Sequence, residues 1–423
     1  MIKNIIHQQK EERDTLLSMP YVERLEDDVK AEWLNSSLIK LITGPRRAGK
    51  SVMALQLLQE QPFAYLNFDD DLLLKEFNED DVVQALREVY GNFKYLLLDE
   101  IQNLAGWELW VNKLYRRGFN LVITGSNARL LSHELATSLT GRYLSMPVLP
   151  FSFRETLKYN KVSIPRSASA ITPGDRGNIL HLFDRYLHNG GFPETVLNPG
   201  ILKNYLSSLF DSVLLKDILK RFRIRQTRQL YDLSNYLLVN YTNLYSCNQL
   251  KNDLNFNSVA TVQKFVSYLE EPYLFLNLTR YATKIKSQQK SPVKTYIIDN
   301  GFIKARSFEL SPNSGRLLEN AVFVELLRRN YRPRLDLFYH RTRNDKEVDF
   351  VLRKGHRVEQ LIQVCQIVDN SRTLKREIDA LTETAAELNC NDLLLITWDH
   401  EETIENNGRK IKIVPAWQWT INN

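Results

Sequence analysis

The chain has 423 residues, 43% of them hydrophobic, which is too long for one ordinary domain and apolar enough for about two to four domains with true cores. Its 56 basic and 50 acidic residues leave a net charge of +6, an excess too mild to establish a nucleic-acid partner, so local clustering has to decide. Three scattered cysteines, Cys247, Cys365 and Cys390, exclude a disulfide framework and a zinc-ligand pattern. With neither a signal-peptide pattern nor an apolar run near about 18 residues, a cytoplasmic protein with no membrane association is expected.

Residues 1–34 read as a charged helical extension. LIKLIT (38–43) is the first strand, and FAYLNF (63–68), KYLLLD (94–99) and NLVITG (120–125) follow, each separated by a helix-length stretch. That alternation predicts an α/β fold with a parallel sheet over residues 35–158. GPRRAGKS (44–51) comes directly after a strand and before the helical run VMALQLL, the context that a phosphate-binding P-loop requires. Gly44 and Gly49 let the backbone amides of the turn and of the helix start, through Ser51 and Val52, face phosphates, with Pro45, which has no N–H, and Arg46, Arg47 and Ala48 inside the turn. Lys50 reaches the β and γ phosphates and Ser51 completes a Mg²⁺ shell. Arg46 and Arg47 either add charge to the phosphates or stay solvated. ATP and Mg²⁺ are therefore the expected cofactors.

Asp99 ends the strand YLLL and Glu100 follows it. One carboxylate can hold Mg²⁺ while its neighbour orients an attacking water, a pairing that favours hydrolysis over kinase chemistry. NLVITG delivers Ser126 and Asn127 to the carboxyl edge of the sheet, where either can sense the γ-phosphate.

The P-loop strand, the DE-ended strand and the TGSN strand together resemble the AAA+ ATPases. LTGRYLSMPVLPFSFRE (139–155), RDTLL and YVERL (13–25) and GGFPE (190–194) narrow the resemblance to a prokaryotic AAA-type family with a C-terminal region of unknown function. What the resemblance implies is a helical lid over 159–215, a homo-oligomer, and Arg142 as an arginine finger or sensor; a surface ion pair is the alternative for Arg142.

The densest basic stretch is KDILKRFRIRQTRQ, where Lys216, Lys220, Arg221, Arg223, Arg225 and Arg228 face a single acid, Asp217. SCNQLKNDLNFNSVATVQKFVSYLEE (246–271) has helix-turn-helix spacing, with Val259, Val262, Val266 and Leu269 on one face and Thr261, Gln263, Lys264 and Ser267 outward. With YLFLNLTRYA as the wing, residues 216–285 read as a winged helix. DNA, through this module and the stretch 216–228, and an unidentified protein both stay open as partners.

From residue 286 to 423, a helix bearing Glu319, the strand DLFYHR (336–341), the paired runs DFVL and LIQV, and the strand DLLLIT (392–397) resemble the PD-(D/E)XK restriction-endonuclease-like fold. Carried over by position, Glu319 and Asp349 match that family's acids, whereas Gln363 stands at the next acid position and Cys365 at the lysine position. Mg²⁺ is held mainly by carboxylates and hydrolysis needs a water activator. The module is therefore expected to be degenerate, with Cys365 a buried strand residue. The whole reads as an ATP-hydrolysing switch or motor. An ATP-gated DNA- or protein-binding module with negligible turnover and an ATP-licensed nuclease are the alternatives.

Overall fold

The computed structural model describes residues 1–126, 141–163, 171–282, 284–306, 313–366 and 371–422. These fall into two compact units, Met1–Leu149 with Glu271–Tyr273, and Pro150–Glu270 with Leu274–Asn423.

The first unit is built on five parallel strands: β1 (Ile39–Thr43), β2 (Phe63–Asn67), β3 (Tyr95–Asp99), β4 (Asn120–Gly125) and β5 (Tyr143–Pro147). Their spatial order is β2-β3-β4-β1-β5. The first four coincide with the strands expected from the sequence. FAYLNF lies at the sheet's edge, and NLVITG separates the P-loop strand from the DE-ended one. Both faces of the sheet are covered, which is why its strands are almost continuously apolar. Ile39, Leu41, Ala64, Leu66, Leu96, Leu98, Leu121 and Ile123 pack on one side with α1 (Ile2–Ser18) and helices Glu79–Tyr90 and Trp107–Arg116. On the other side Ile42, Leu97 and Val122 pack with Met53, Ala54, Leu57 and Leu58 of α3 (Lys50–Leu58).

The N-terminal extension is two helices, α1 and α2 (Asp27–Asn35). The Gln9 side-chain amide bonds both the N–H (2.9 Å) and the carbonyl (3.1 Å) of Asn67 on edge strand β2, and Arg13 donates to the Phe63 carbonyl at 2.6 Å. These bonds occupy backbone groups that an open edge would offer to another chain.

The second unit opens with helix Phe153–Tyr159, whose SFRE sequence forms a capping box: Ser152 Oγ accepts from the Glu155 amide at 3.1 Å and Glu155 Oε2 from the Ser152 amide at 2.7 Å. Helices Pro173–Asn189, Pro193–Leu197 and Leu202–Ser212 follow. The last continues into a π-helical segment, Val213–Lys220, where the basic stretch begins. Next come helix Thr227–Val239, β6 (Leu244–Tyr245), helices Cys247–Asp253 and Val259–Glu270, β7 (Phe275–Thr279) and β8 (Val293–Ile297). Strands β6, β7 and β8 form an antiparallel sheet in the order β6-β8-β7, so β8 pairs with strands that precede the 286 boundary suggested by the sequence. Ser246 Oγ caps its helix through the Gln249 amide at 3.1 Å.

The C-terminal sheet has six strands: β9 (Leu337–Arg341), β10 (Glu347–Lys354), β11 (Arg357–Cys365), β12 (Leu393–Thr397), β13 (Glu402–Asn406) and β14 (Arg409–Pro415), in the order β13-β14-β12-β11-β10-β9. Leu361, Val351, Leu393 and Ile411 pack against Ala380, Leu381 and Ala385 of helix Ser371–Leu388, with Cys365 buried among them.

Two of the sequence motifs meet at Asp299. The amides of Gly191 and Gly301 donate to its two carboxylate oxygens at 2.6 and 2.8 Å, and the Phe151 amide donates to the Gly191 carbonyl at 2.6 Å. Burial pushes the Asp299 carboxyl up to about 6, against the pull of those two amides. Gly190 has φ +73°, and a Cβ there would stand 1.7 Å from Asp299 Oδ1. Gly190→Ala is therefore expected to destabilise the protein by at least about 2 kcal/mol; an unchanged denaturation midpoint would refute the close approach.

Candidate functional site

The carboxyl edge of the first sheet gathers the nucleotide-site residues. The turn Gly44–Gly49 leads from β1 into α3, whose first amides have no partner within the helix and point out of its positive end. Gly49 takes φ +92° and Arg47 φ +67° to close the turn. Val148 holds its start, its amide donating to the Thr43 carbonyl at 2.6 Å, and a Cβ on Gly44 would lie 2.0 Å from the Val148 carbonyl oxygen. Ala48 is buried, Pro45 is buried, Arg46 and Val52 are half-buried and Arg47 is exposed.

Lys50 is 3% exposed, and its ammonium lies 3.2 Å from the Pro45 carbonyl and 3.3 Å from Glu100 Oε1. Ser51 Oγ donates to Asp99 Oδ1 at 2.9 Å, so the hydroxyl and carboxylate expected to share Mg²⁺ already touch. This donor set fits a nucleotide triphosphate with its cation: a ring of amides, one ammonium, and a hydroxyl beside a carboxylate.

Four side chains at the site escaped the sequence reading. Thr124 Oγ1 donates to Asp99 Oδ1 in a short hydrogen bond and accepts from the Glu100 amide at 3.0 Å, so one hydroxyl links both acids. Tyr65 donates to Asp99 Oδ2 at 3.2 Å. Gln102 donates to Glu100 Oε2 and, at 3.3 Å, to Ser126 Oγ. Arg24, in the YVERL stretch, donates to the Ala48 carbonyl inside the P-loop and to the Leu149 carbonyl, both at 2.8 Å. The signal for Thr124 was its place one residue before the end of an apolar strand neighbouring the P-loop strand; Arg24 is too distant in sequence for any local pattern to reveal it.

The two adjacent acids are pushed apart electrostatically. Burial and then the Glu100 charge raise Asp99 to about 6, against the hydrogen bonds from Thr124 and Ser51. Burial would raise Glu100 as well, but Lys50 first, then Gln102 and Arg46, hold it below the ordinary carboxylate value. Glu100 is thus the more readily ionised of the two, carried on a left-handed backbone (φ 50°, ψ 42°) that costs of order 1 kcal/mol.

Arg142 is not brought to this site. Its carbonyl accepts from the Ile39 amide at the amino end of β1, roughly 15 Å of strand from the P-loop, and its guanidinium bonds Asn112 Oδ1 at 3.2 Å and lies over Tyr115. Within its own chain it reaches no nucleotide. Ser126 is buried at the carboxyl edge; Asn127 lies outside the described residues.

In the second unit Glu319 and Asp349 do come together, around the ammonium of Lys294 on β8. Gln363 lies beside them, accepting from the Asp349 amide at 3.1 Å and donating to Glu377 Oε2 at 2.6 Å.

The profile of an AAA domain family matches residues 36–157, and two domains of unknown function (DUF8612 and DUF4143) match 180–311 and 314–419. An uncharacterized protein of Methanocaldococcus jannaschii is 34% identical over 402 residues, covering 90% of this chain and 88% of its own. An uncharacterized protein of Haemophilus influenzae is 33% identical over 407 residues, covering 91% of this chain and 95% of its own. Among solved structures, a Walker-type ATPase of Pyrococcus abyssi is similar over 69% of this chain and 99% of its own, with 15% identity and a TM-score of 0.43.

Removing Arg24 frees the Ala48 carbonyl that the P-loop uses as an anchor. Arg24→Ala is expected to weaken nucleotide affinity about tenfold, as the loss of charge-assisted hydrogen bonds implies; a nucleotide titration with unchanged affinity would show that the loop holds its shape without it.

Proposed function

Because the chain belongs to the family of these archaeal and bacterial proteins, with an AAA-type P-loop domain ahead of two further domains, we propose that it is an ATP-hydrolysing switch whose second unit engages nucleic acid. The observation that carries this reading is the convergence of Lys50, Ser51, Asp99 and Glu100 at one sheet edge. Lys50 and the amides of residues 46–52 would hold the phosphates, and Ser51 and Asp99 would hold Mg²⁺. The bound cation would offset phosphate charge. Glu100, kept ionised, accepts the proton of an attacking water, and Thr124 and Gln102 hold it in position for that task. Ser126 is the described candidate for reading the γ-phosphate. Phosphate would compete with Glu100 for the Lys50 ammonium, so nucleotide arrival itself alters the base.

A winged helix is supported by the order helix, strand, helix, helix, strand, strand, with the short helix Ile285–Lys290 between the last two strands and the short first strand paired to the last. The nucleic-acid reading rests on one further contact. Phe222, in the basic stretch, stacks on Tyr268 of helix Val259–Glu270 with ring centres 3.8 Å apart and planes 10° from parallel, and Lys264 lies over the same Tyr268 ring. The stack fixes the basic stretch beside the helix that carries the exposed Gln263 and Lys264. Lys216, Lys220, Arg223, Arg225 and Arg228 are all exposed there, an arrangement suited to backbone phosphates.

Glu100→Gln is expected to lower steady-state ATP turnover by about 10²–10⁴ while leaving nucleotide binding intact; turnover equal to wild type would remove Glu100 as the base. Duplex DNA is expected to bind with a log–log salt slope of about −4.5, for about five phosphate contacts, and to lose about three fifths of it in Arg223→Ala/Arg225→Ala/Arg228→Ala. Binding indifferent to salt and to these changes would turn the module into a protein-docking one. DNA cleavage with Mg²⁺ or Mn²⁺, abolished by Asp349→Ala, would favour the nuclease alternative.

A further inference from the structure

Three carboxylates from two elements converge on one side chain of a third. Lys294 Nζ, on β8, lies 2.8 Å from Glu319 Oε1 on helix Ser314–Arg328, and 2.7 and 2.9 Å from Glu347 Oε1 and Asp349 Oδ1 on β10. Lys294 is 3% exposed, Asp349 8% and Glu319 14%. Glu319 also accepts from the Tyr296 hydroxyl at 2.8 Å, and Asp349 Oδ2 from the Val364 amide at 3.0 Å. We propose that the Lys294 ammonium is a tethered substitute for a divalent cation, seated among acids that would otherwise need one, so that the protein's own chain keeps this cluster closed to metal.

Alternation along β10 puts Glu347 and Asp349 on one side of the sheet, two residues apart, and the helix brings Glu319 to them. Three carboxylates this close and this buried repel one another and lose their water. A cation between them therefore stabilises the fold, whatever its source. An ammonium supplies three N–H donors, and here there are three carboxylates at hydrogen-bond distance to receive them.

Charge completes the argument. Burial above all raises Glu319 to about 8, with Asp349 adding to the effect and Lys294 opposing it. Gln363 belongs to the same balance. An acid in its place, beside the Asp349 amide and Glu377, would add a charge that a single lysine could not offset. The uncharged residue at 363 and the lysine at 294 are two halves of one substitution. Lys294 also ties β8, and through it the sheet β6-β8-β7, to the helix and to β10.

The inference does not rest on ATP turnover, and its test omits nucleotide. The full-length protein, Lys294→Met, and Lys294→Met/Asp349→Asn are melted in EDTA and in millimolar Mn²⁺. Lys294→Met is expected to melt roughly 5–10 °C below wild type in EDTA, as removing one partner of a buried ion pair implies, and to recover in Mn²⁺. The double variant should lose the recovery, and wild type should not respond through this cluster. Wild-type melting of Lys294→Met in EDTA, or a folded variant indifferent to Mn²⁺, would overturn the proposal. If Lys294→Met does not fold, Mn²⁺ titrations of wild type and Asp349→Asn decide: uptake that Asp349→Asn removes overturns it, and equal uptake by the two supports it.

Discussion

A carboxylate taken out of water must meet a cation or a set of N–H and O–H donors, and both units are arranged around that requirement. In the first unit Lys50 faces Glu100, while Ser51, Thr124 and Tyr65 take Asp99. In the second Lys294 faces three acids at once. The two lysines differ in what could release them. Lys50 divides itself between one carboxylate and a backbone carbonyl, at the head of a helix whose free amides attract anions. Lys294 has all three of its donors committed to carboxylates. One lysine is poised for exchange and the other is a fixture.

The sheet order serves the exchangeable site. With β4 between β1 and β3, the end of β4 lies between the P-loop and the acid pair, and Thr124 can touch Asp99 and Glu100 together. The parallel register places Thr43 opposite Gly125 and Asn67 opposite Asp99, so the strands end level and their last residues face a common edge. The same parallel geometry carries Arg142 to the far edge, because a residue that precedes β5 must lie where β1 begins. An arginine there is out of reach of its own chain's phosphates; a role at a neighbouring subunit's site is the form in which the arginine-finger reading continues.

Strands β1–β4 and the P-loop were legible because each strand is an apolar run closed by a turn or an acid, and because the loop's residues act within a few positions of one another. β5 was not, since YLSMP is half exposed and ends in proline. Strands β13 and β14 carried a readable sign that went unused: Asn407 and Gly408, both at positive φ, make the tight turn of a hairpin. Family-like motifs proved legible as sequence and opaque as chemistry. SFRE is a helix cap, and GGFPE is the close approach of a backbone to Asp299, so both serve packing. Lys294 was invisible for a different reason. Its partners lie 25, 53 and 55 residues away in the chain, and no local pattern distinguishes it from a solvated lysine at the start of a strand.

The π-helical segment Val213–Lys220 sets the azimuth of everything that follows it. Its wide turns take up more residues than α-helical turns do, and each residue so absorbed rotates the downstream side chains by about 100° about the axis. Lys220, Arg221 and the arginines beyond them therefore owe their bearing to slack stored upstream. Losing or gaining a single residue within that segment would re-aim the whole cationic run while leaving each of its residues intact.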